Sequence, residues 1–166
     1  MDIHEERNVS LRAYEGKVVL VVAVASFWIA TPQYLTLNAL YHRFSNLEII
    51  ATPCNQFGLQ EPGQNATEIL NALKYVRPGG GFIPSFQLFQ KLEVNGANQH
   101  PFFTYMKTSC PPPIQDFFPK EIYHYMYDPK HSNDIRWNFE KFLVGCDGRP
   151  VARYSPGFSP EDMVDD

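Results

Sequence analysis

The sequence predicts an α/β fold built on a central sheet, and three observations predict it. Val18 to Ala25 is an unbroken apolar run rich in β-branched residues, the pattern of a strand covered on both faces. Tyr34, Leu37, Leu40, Tyr41 and Phe44 follow at three- and four-residue steps, the period of a helix with one buried stripe. Leu47 to Ala51 then reads as a second buried strand. Strand, helix, strand in that order implies two parallel strands joined by a right-handed crossover. The chain has 166 residues and no internal repeat or composition break, so residues 1–166 are expected to form a single domain.

Each element has local support. Gly16-Lys17 punctuates the start of the first strand. Thr31 is placed to cap the first helix, with Pro32 at its first position. Asn65-Ala-Thr-Glu68 resembles a capping box with Asn in the capping role, and Ile69, Leu70, Leu73 and Tyr75 lie on the helix behind it. That helix should stop before Arg77-Pro-Gly-Gly-Gly81. Phe86 to Phe89 reads as a short third strand, Asn95-Gly96 as a turn, and Pro101 to Ser109 as a short helix ended by Cys110-Pro-Pro-Pro113. Ile114 to His131 reads as an extended surface loop whose aromatics, Phe118, Tyr123, Tyr125 and Tyr127, pack down. Trp137 to Val144 and Pro150 to Tyr154 flank Asp147-Gly148, a hairpin signal. Ser159-Pro-Glu-Asp162 carries helix-start signals four residues from the last residue, so the C-terminal helix is expected to be truncated.

Composition excludes several function classes. The net charge of −4, with basic residues scattered, gives no electrostatic basis for binding nucleic acid or an anionic membrane. No apolar run reaches membrane-spanning length, and the polar start MDIHEERNVS is no signal peptide. Cys54, Cys110 and Cys146 lack the spacing of a disulfide framework or a zinc site, and His100, His124 and His131 lack ligand spacing, so no metal is expected. Asn8-Val-Ser10 and Asn65-Ala-Thr67 are glycosylation sequons.

Candidate chemistry gathers at predicted strand ends. Trp28 stands where the first strand turns toward the first helix, a place where many α/β folds carry a reactive group. Pro53-Cys-Asn-Gln-Phe-Gly-Leu-Gln-Glu-Pro62 follows the second strand, and Arg136-Trp-Asn-Phe-Glu-Lys-Phe142 comes much later. Gln60, Trp137 and Asn138 supply neutral donors able to polarise an oxygen or stabilise an anionic sulfur or selenium. The residues alone equally allow Gln60 and Asn138 to satisfy loop backbone while Trp137 fills core.

The stretches GKVVLVVAVAS, PCNQFGLQEPGQN, EILNALKYVRPGGGFIPSFQLFQKLEVNG and DIRWNFEKFLVG resemble the glutathione peroxidase family, from about Tyr14 to Tyr154. YVRPGGGFIPSF looks like the tetrameric branch, and TPQYLTLNAL, SCPPP and DIRWNFEKFLVG look most like its secreted plasma and epididymal members. The resemblance implies a thioredoxin-like three-layer sandwich, a mixed sheet with helices on both faces. It implies reduction of hydrogen peroxide and organic hydroperoxides by glutathione or another thiol as co-substrate, without a bound cofactor. It implies a homo- or hetero-tetramer and an extracellular location, with the cytoplasm as the alternative. The family's peroxidatic residue is a selenocysteine or cysteine surrounded by a Gln, a Trp and an Asn, which match Gln60, Trp137 and Asn138. A family arginine associated with the thiol substrate matches Arg77.

By that resemblance Trp28 occupies the peroxidatic position, and Ile29 replaces the Gly beside it. An indole has no acidic thiol or selenol and cannot make the nucleophilic attack. Two explanations follow. Trp28 stands for a selenocysteine, whose UGA codon is one base from the UGG of tryptophan, or the chain is a pseudoenzyme serving as a binding or oligomer subunit. The arginine that cytosolic-type members carry after this turn has become Pro32 or Gln33, and their paired C-terminal arginines have become Pro156-Gly157. Those losses weaken two-point recognition of a dianionic tripeptide.

Overall fold

The computed structural model describes residues 1–3, 8–113 and 124–164. Five strands form one mixed sheet in the order β3-β2-β1-β4-β5, where β1 is Val18–Val24, β2 Leu47–Pro53, β3 Gln87–Leu88, β4 Lys141–Val144 and β5 Pro150–Tyr154. β1 runs parallel to β2, and β2 parallel to β3, while β4 is antiparallel to both β1 and β5.

Alternation along β1 builds two cores. Val19, Val21 and Ala23 face one side, packed with Phe103 and Met106 of helix α3 (Pro101–Ser109). Leu20, Val22 and Val24 face the other, packed with Tyr34 and Leu37 of α1 (Gln33–Arg43) and with Ile69 of α2 (Ala66–Asn71). Helices therefore cover both faces of the sheet, the three-layer sandwich expected. β1 is buried from Val19 onward because it lies between those layers.

Helix α1 starts later than its sequence signals suggest. Pro32 is its N-cap, and the Thr31 hydroxyl instead accepts from the Trp28 N–H at 3.0 Å and donates to the Ala25 carbonyl at 3.0 Å. Thr31 thus organises the preceding turn rather than capping the helix. Asn65 does cap α2: its Oδ1 accepts from the Glu68 N–H at 3.0 Å. Past Asn71 the winding loosens to a π-helical turn, Ala72–Val76, which leaves Tyr75 exposed while Leu73 stays buried. Pro101–Ser109 is helical as expected, and the third strand shortens to Gln87–Leu88.

Trp137 to Glu140, expected as strand, precedes β4 as an irregular segment. Phe139 has φ 65°, a left-handed conformation that breaks the ladder. Of the loop expected over Ile114 to His131, residues 114–123 lie outside the described residues, Phe118 and Tyr123 among them. Tyr125 and Tyr127 pack edge-on against Phe57, at 6.1 and 6.2 Å between ring centroids. Pro160–Met163 forms one short 3-10 turn, and the Ser159 side chain does not cap it.

Topology sets where function can gather. β1 and β2 are parallel, so their C-terminal ends share one edge. β4 is antiparallel to β1, with Lys141 opposite Val22, so the segment entering β4 arrives at that same edge.

Candidate active site

Three segments meet at this edge. The first is the turn after β1. Ala25 and Ser26 are fully buried, Phe27 and Ile29 are exposed, and Trp28 is half-buried between them. The Trp28 ring lies 6.0 Å from that of Phe139, inclined by 28°, and 6.4 Å from that of Trp137. The Trp28 carbonyl accepts from the Thr31 N–H at 3.1 Å and from Arg77 Nη1 at 3.1 Å. Arg77 is exposed at the end of the π-helical turn, so its guanidinium ties that loop to position 28.

The second segment follows β2. Gly58 and Leu59 both adopt left-handed backbone, with φ 58° and 55°, and this tight curl presents Gln60. Gln60 Oε1 accepts from Trp137 Nε1 at 3.0 Å and from Asn138 Nδ2 at 3.2 Å. The third segment supplies those two donors and is itself held by the sheet: the Phe139 N–H donates to the Ala23 carbonyl and the Ala23 N–H to the Glu140 carbonyl. Trp28, Gln60, Trp137 and Asn138 are thus brought together, and Arg77 joins them through the backbone of position 28. Gln60 Oε1 is thus bonded to the side chains of Asn138 and Trp137, not to loop backbone. Trp137 is at once a core ring, 5.6 Å from Phe57, and a hydrogen-bond donor.

Backbone strain marks the same place. Leu59 and Phe139 are the non-glycine residues with positive φ among the described residues, and each directly adjoins a site amide, Gln60 or Asn138. Such conformations cost roughly 1–3 kcal/mol each and persist where surrounding structure over-determines them. Asn138 is fully buried, and its Oδ1 accepts no hydrogen bond among the described residues.

Charge near the site comes from buried groups. Glu61, beside Gln60, is fully buried and receives the Ser26 hydroxyl at 2.7 Å; burial raises its carboxyl above the usual range, against the opposing effect of that bond. Glu140 is also buried. Its Oε1 pairs with Arg153 Nε at 2.5 Å and its Oε2 accepts the Arg136 N–H at 2.8 Å. The motifs contained Phe139, Ser26 and Glu61, but nothing in their spacing marked them: a ring stacked on Trp28 and a carboxyl buried against a hydroxyl are tertiary facts.

Cysteine chemistry is limited as the chain stands. Cys54 is buried, and burial pushes its thiol up to about 12, so it stays protonated near neutrality. Cys110 is also buried, and Cys146 is exposed in the β4–β5 connection. Among the described residues no three His, Cys, Asp or Glu side chains group to hold a metal ion. His100 caps α3, its Nδ1 accepting from the Phe102 N–H at 3.3 Å, and His124 lies edge-on to Trp137 at 6.3 Å. No helix among the described residues is long and apolar enough to cross a membrane.

Two positions that the resemblance sets against arginines of cytosolic-type members, Gln33 and Pro156, also meet. Gln33 Nε2 donates to the Pro156 carbonyl at 2.9 Å, so the two substituted positions are closed on one another.

Comparison with known proteins places the chain in a family. Residues 1–107 match the family model described as glutathione peroxidase. The chain is 50% identical to glutathione peroxidase 3 of Rattus norvegicus over 157 residues, covering 93% of this chain and 68% of that protein. It is 52% identical to glutathione peroxidase 6 of Mus musculus over 148 residues, covering 88% and 66%. The chain therefore spans about two thirds of the length of these relatives. The crystal structure of Trgpx in its apo form superposes with a TM-score of 0.65 at 28% identity, over 96% of this chain and 84% of that one. The thioredoxin-like superfamily protein SPOA0173 superposes with a TM-score of 0.56 at 11% identity, over 98% and 88%, a likeness of fold alone.

Proposed function

Since the chain belongs to the glutathione peroxidase family and has its thioredoxin-like fold, we propose that its site is that of a hydroperoxide reductase in which Trp28 holds the peroxidatic position. At the level of the family, hydroperoxide reduction follows from membership. The finer reading rests on one observation: the adjacent Trp137 and Asn138 both donate to Oε1 of Gln60, more than seventy residues earlier in the chain, beside Trp28.

In this reading a sulfur or selenium at position 28 attacks the distal peroxide oxygen. The O–O bond breaks, the alcohol or water leaves with a proton, and the chalcogen becomes a sulfenic or selenenic acid. Two thiols, glutathione or another, then return it to the reduced state as water and a disulfide. The side-chain amide N–H groups of Gln60 and Asn138 stabilise the anion before attack and the developing oxyanion during it, while the Trp137 indole N–H holds Gln60 Oε1 in place. Arg77 orients the turn through the Trp28 carbonyl and offers its remaining N–H donors to the carboxylates of the thiol. With Gln33 and Pro156 closed on each other, that thiol site lacks the other arginine contacts, so the donor requirement is loose.

The chain as written carries an indole at position 28. The test is restoration: Trp28→Cys with Ile29→Gly gives thiol-dependent hydroperoxide consumption above a thiol-only blank, and a folded variant at the blank rate contradicts the reading.

One observation favours a second reading, a non-catalytic subunit. Trp28 is accommodated, stacked on Phe139 with both backbone groups hydrogen-bonded. Such a chain consumes no peroxide and assembles as a homo-tetramer or with an active full-length relative through the PGGG loop, in the extracellular space of the secreted members. Co-purification with that relative supports this reading; turnover abolished by Cys54→Ser or Cys146→Ser overturns it.

A further inference from the structure

The turn carrying Trp28 and the loop carrying Gln60 are joined at two adjacent positions. The Phe27 N–H donates to the Gln60 carbonyl at 3.0 Å, and the Ser26 hydroxyl donates to Glu61 Oε2 at 2.7 Å. A single backbone bond between two loops leaves them free to pivot about it. A second bond on the neighbouring residue pair removes that pivot, and Trp28 and Gln60 are then held at one separation and angle.

The second bond is costly. Ser26 and Glu61 are both fully buried, and among the described residues Glu61 makes no ion pair. Lys91, whose charge acts on Glu61, donates instead to the carbonyls of Glu61 and Gly63, at 3.3 and 2.6 Å. A carboxyl taken out of water without a paired cation is destabilising. Its surroundings are shaped around it: the Glu61 N–H donates to Asn55 Oδ1 at 2.9 Å, and a Cβ on Gly63 would meet Ile69 at 2.6 Å and Glu61 Oε1 at 3.4 Å. The hydroxyl of the buried Tyr34 on α1 is pushed well up by burial and by the Glu61 charge. A loop needing only an anchor could use an apolar residue here at lower cost.

We infer that Ser26 and Glu61 form a positioning pair that fixes position 28 against the Gln60 amide. The inference rests on the reading of position 28 given above, and its test does not require turnover. The chain has two tryptophans, so a Trp137→Phe background leaves Trp28 as the sole indole reporter.

In that background, Ser26→Ala and Glu61→Leu raise acrylamide quenching of Trp28 emission severalfold at temperatures well below unfolding. Glu61→Gln, whose amide oxygen still accepts the Ser26 hydroxyl, stays close to the background value. Ser26→Ala removes one hydroxyl and leaves the apolar packing intact, which keeps the test readable if Glu61→Leu folds poorly. A fall in Tm with quenching unchanged in Ser26→Ala shows a structural bond only and overturns the inference. A companion measurement uses the Trp28→Cys, Ile29→Gly background, where Ser26→Ala moves the pH profile of thiol alkylation at position 28 and Glu61→Gln does not. An inactive double variant that keeps the Ser26 dependence of alkylation contradicts the proposed reaction while leaving the positioning pair standing.

Discussion

At position 28 the side chain is an indole whose ring stacks on Phe139 and lies next to Trp137, half out of water. That packing gives Trp28→Cys with Ile29→Gly an expected cost of about 2 kcal/mol, well below the several kcal/mol of a fully buried aromatic, read by urea unfolding. Leu59 gives a prediction of opposite sign. It is 56% exposed with φ 55°, so its side chain adds little packing while its Cβ strains the backbone. Leu59→Gly therefore stabilises the fold by about 1 kcal/mol by relieving the left-handed conformation, and it loosens the curl that presents Gln60. Neither strained position was legible in the sequence. Leu and Phe have no intrinsic preference for left-handed backbone, and the contacts that impose it come from distant segments. The identity of Gln60, Trp137 and Asn138 was legible through the motifs, whereas their convergence on Gln60 Oε1 was not.

The helices were legible because their signals are local. Asn65 caps the first turn by accepting the Glu68 N–H, while the Glu68 carboxylate accepts from the Asn65 side-chain amide and the Gln64 N–H, and Asn65→Ala should cost about 1 kcal/mol in thermal or chemical unfolding. Thr31 carried the same kind of signal and was misread, since a hydroxyl three residues after Trp28 finds the turn's own N–H first. The segment entering β4 is held by non-local charge. Arg153, buried on β5, donates to Glu140 and to the carbonyls of Cys110, Asn133 and Asp134, the last three at 3.3, 3.2 and 2.8 Å. Arg153→Met leaves Glu140 buried without its cation and should cost about 3–5 kcal/mol, and adding Glu140→Leu should recover much of that loss. Stability of the single and double variants by urea unfolding checks both halves. Nothing in the spacing of residues 140 and 153 announces this pair; it exists because β4 and β5 are antiparallel neighbours.

Across the whole molecule, the β-α-β opening already implied that the ends of β1 and β2 share an edge, and the site lies there. What the sequence could not convey is closure between residues 123 positions apart, as between Gln33 and Pro156, or the reach of Arg77 to the Trp28 carbonyl. Lys141 makes a shorter-range tie of the same kind. It is fully buried on β4, and its ammonium donates to the carbonyls of Phe139 and Phe158 at 2.7 and 2.8 Å, anchoring the C-terminal segment. Burial pushes it down to about 7, and Glu140 only partly opposes this. Between about pH 7 and the ordinary lysine value of 10.5 the unfolded chain holds a proton that the folded chain has released. Unfolding then takes up a proton, and stability rises with pH across the lower part of that window; below pH 7 both states are protonated and this contribution is flat. Urea unfolding from pH 7 to 8.5 should show the rise, and Lys141→Met should remove it. The central claim, that this edge is built to activate an atom at position 28, has its most direct test in mass spectrometry of the Trp28→Cys, Ile29→Gly variant after one equivalent of hydroperoxide. Addition of one oxygen, about 16 Da, is expected at position 28 ahead of the exposed Cys146, with Gln60→Ala slowing that oxidation by about 10²-fold. Oxidation of Cys146 first, with the position-28 thiol unmodified, would contradict it.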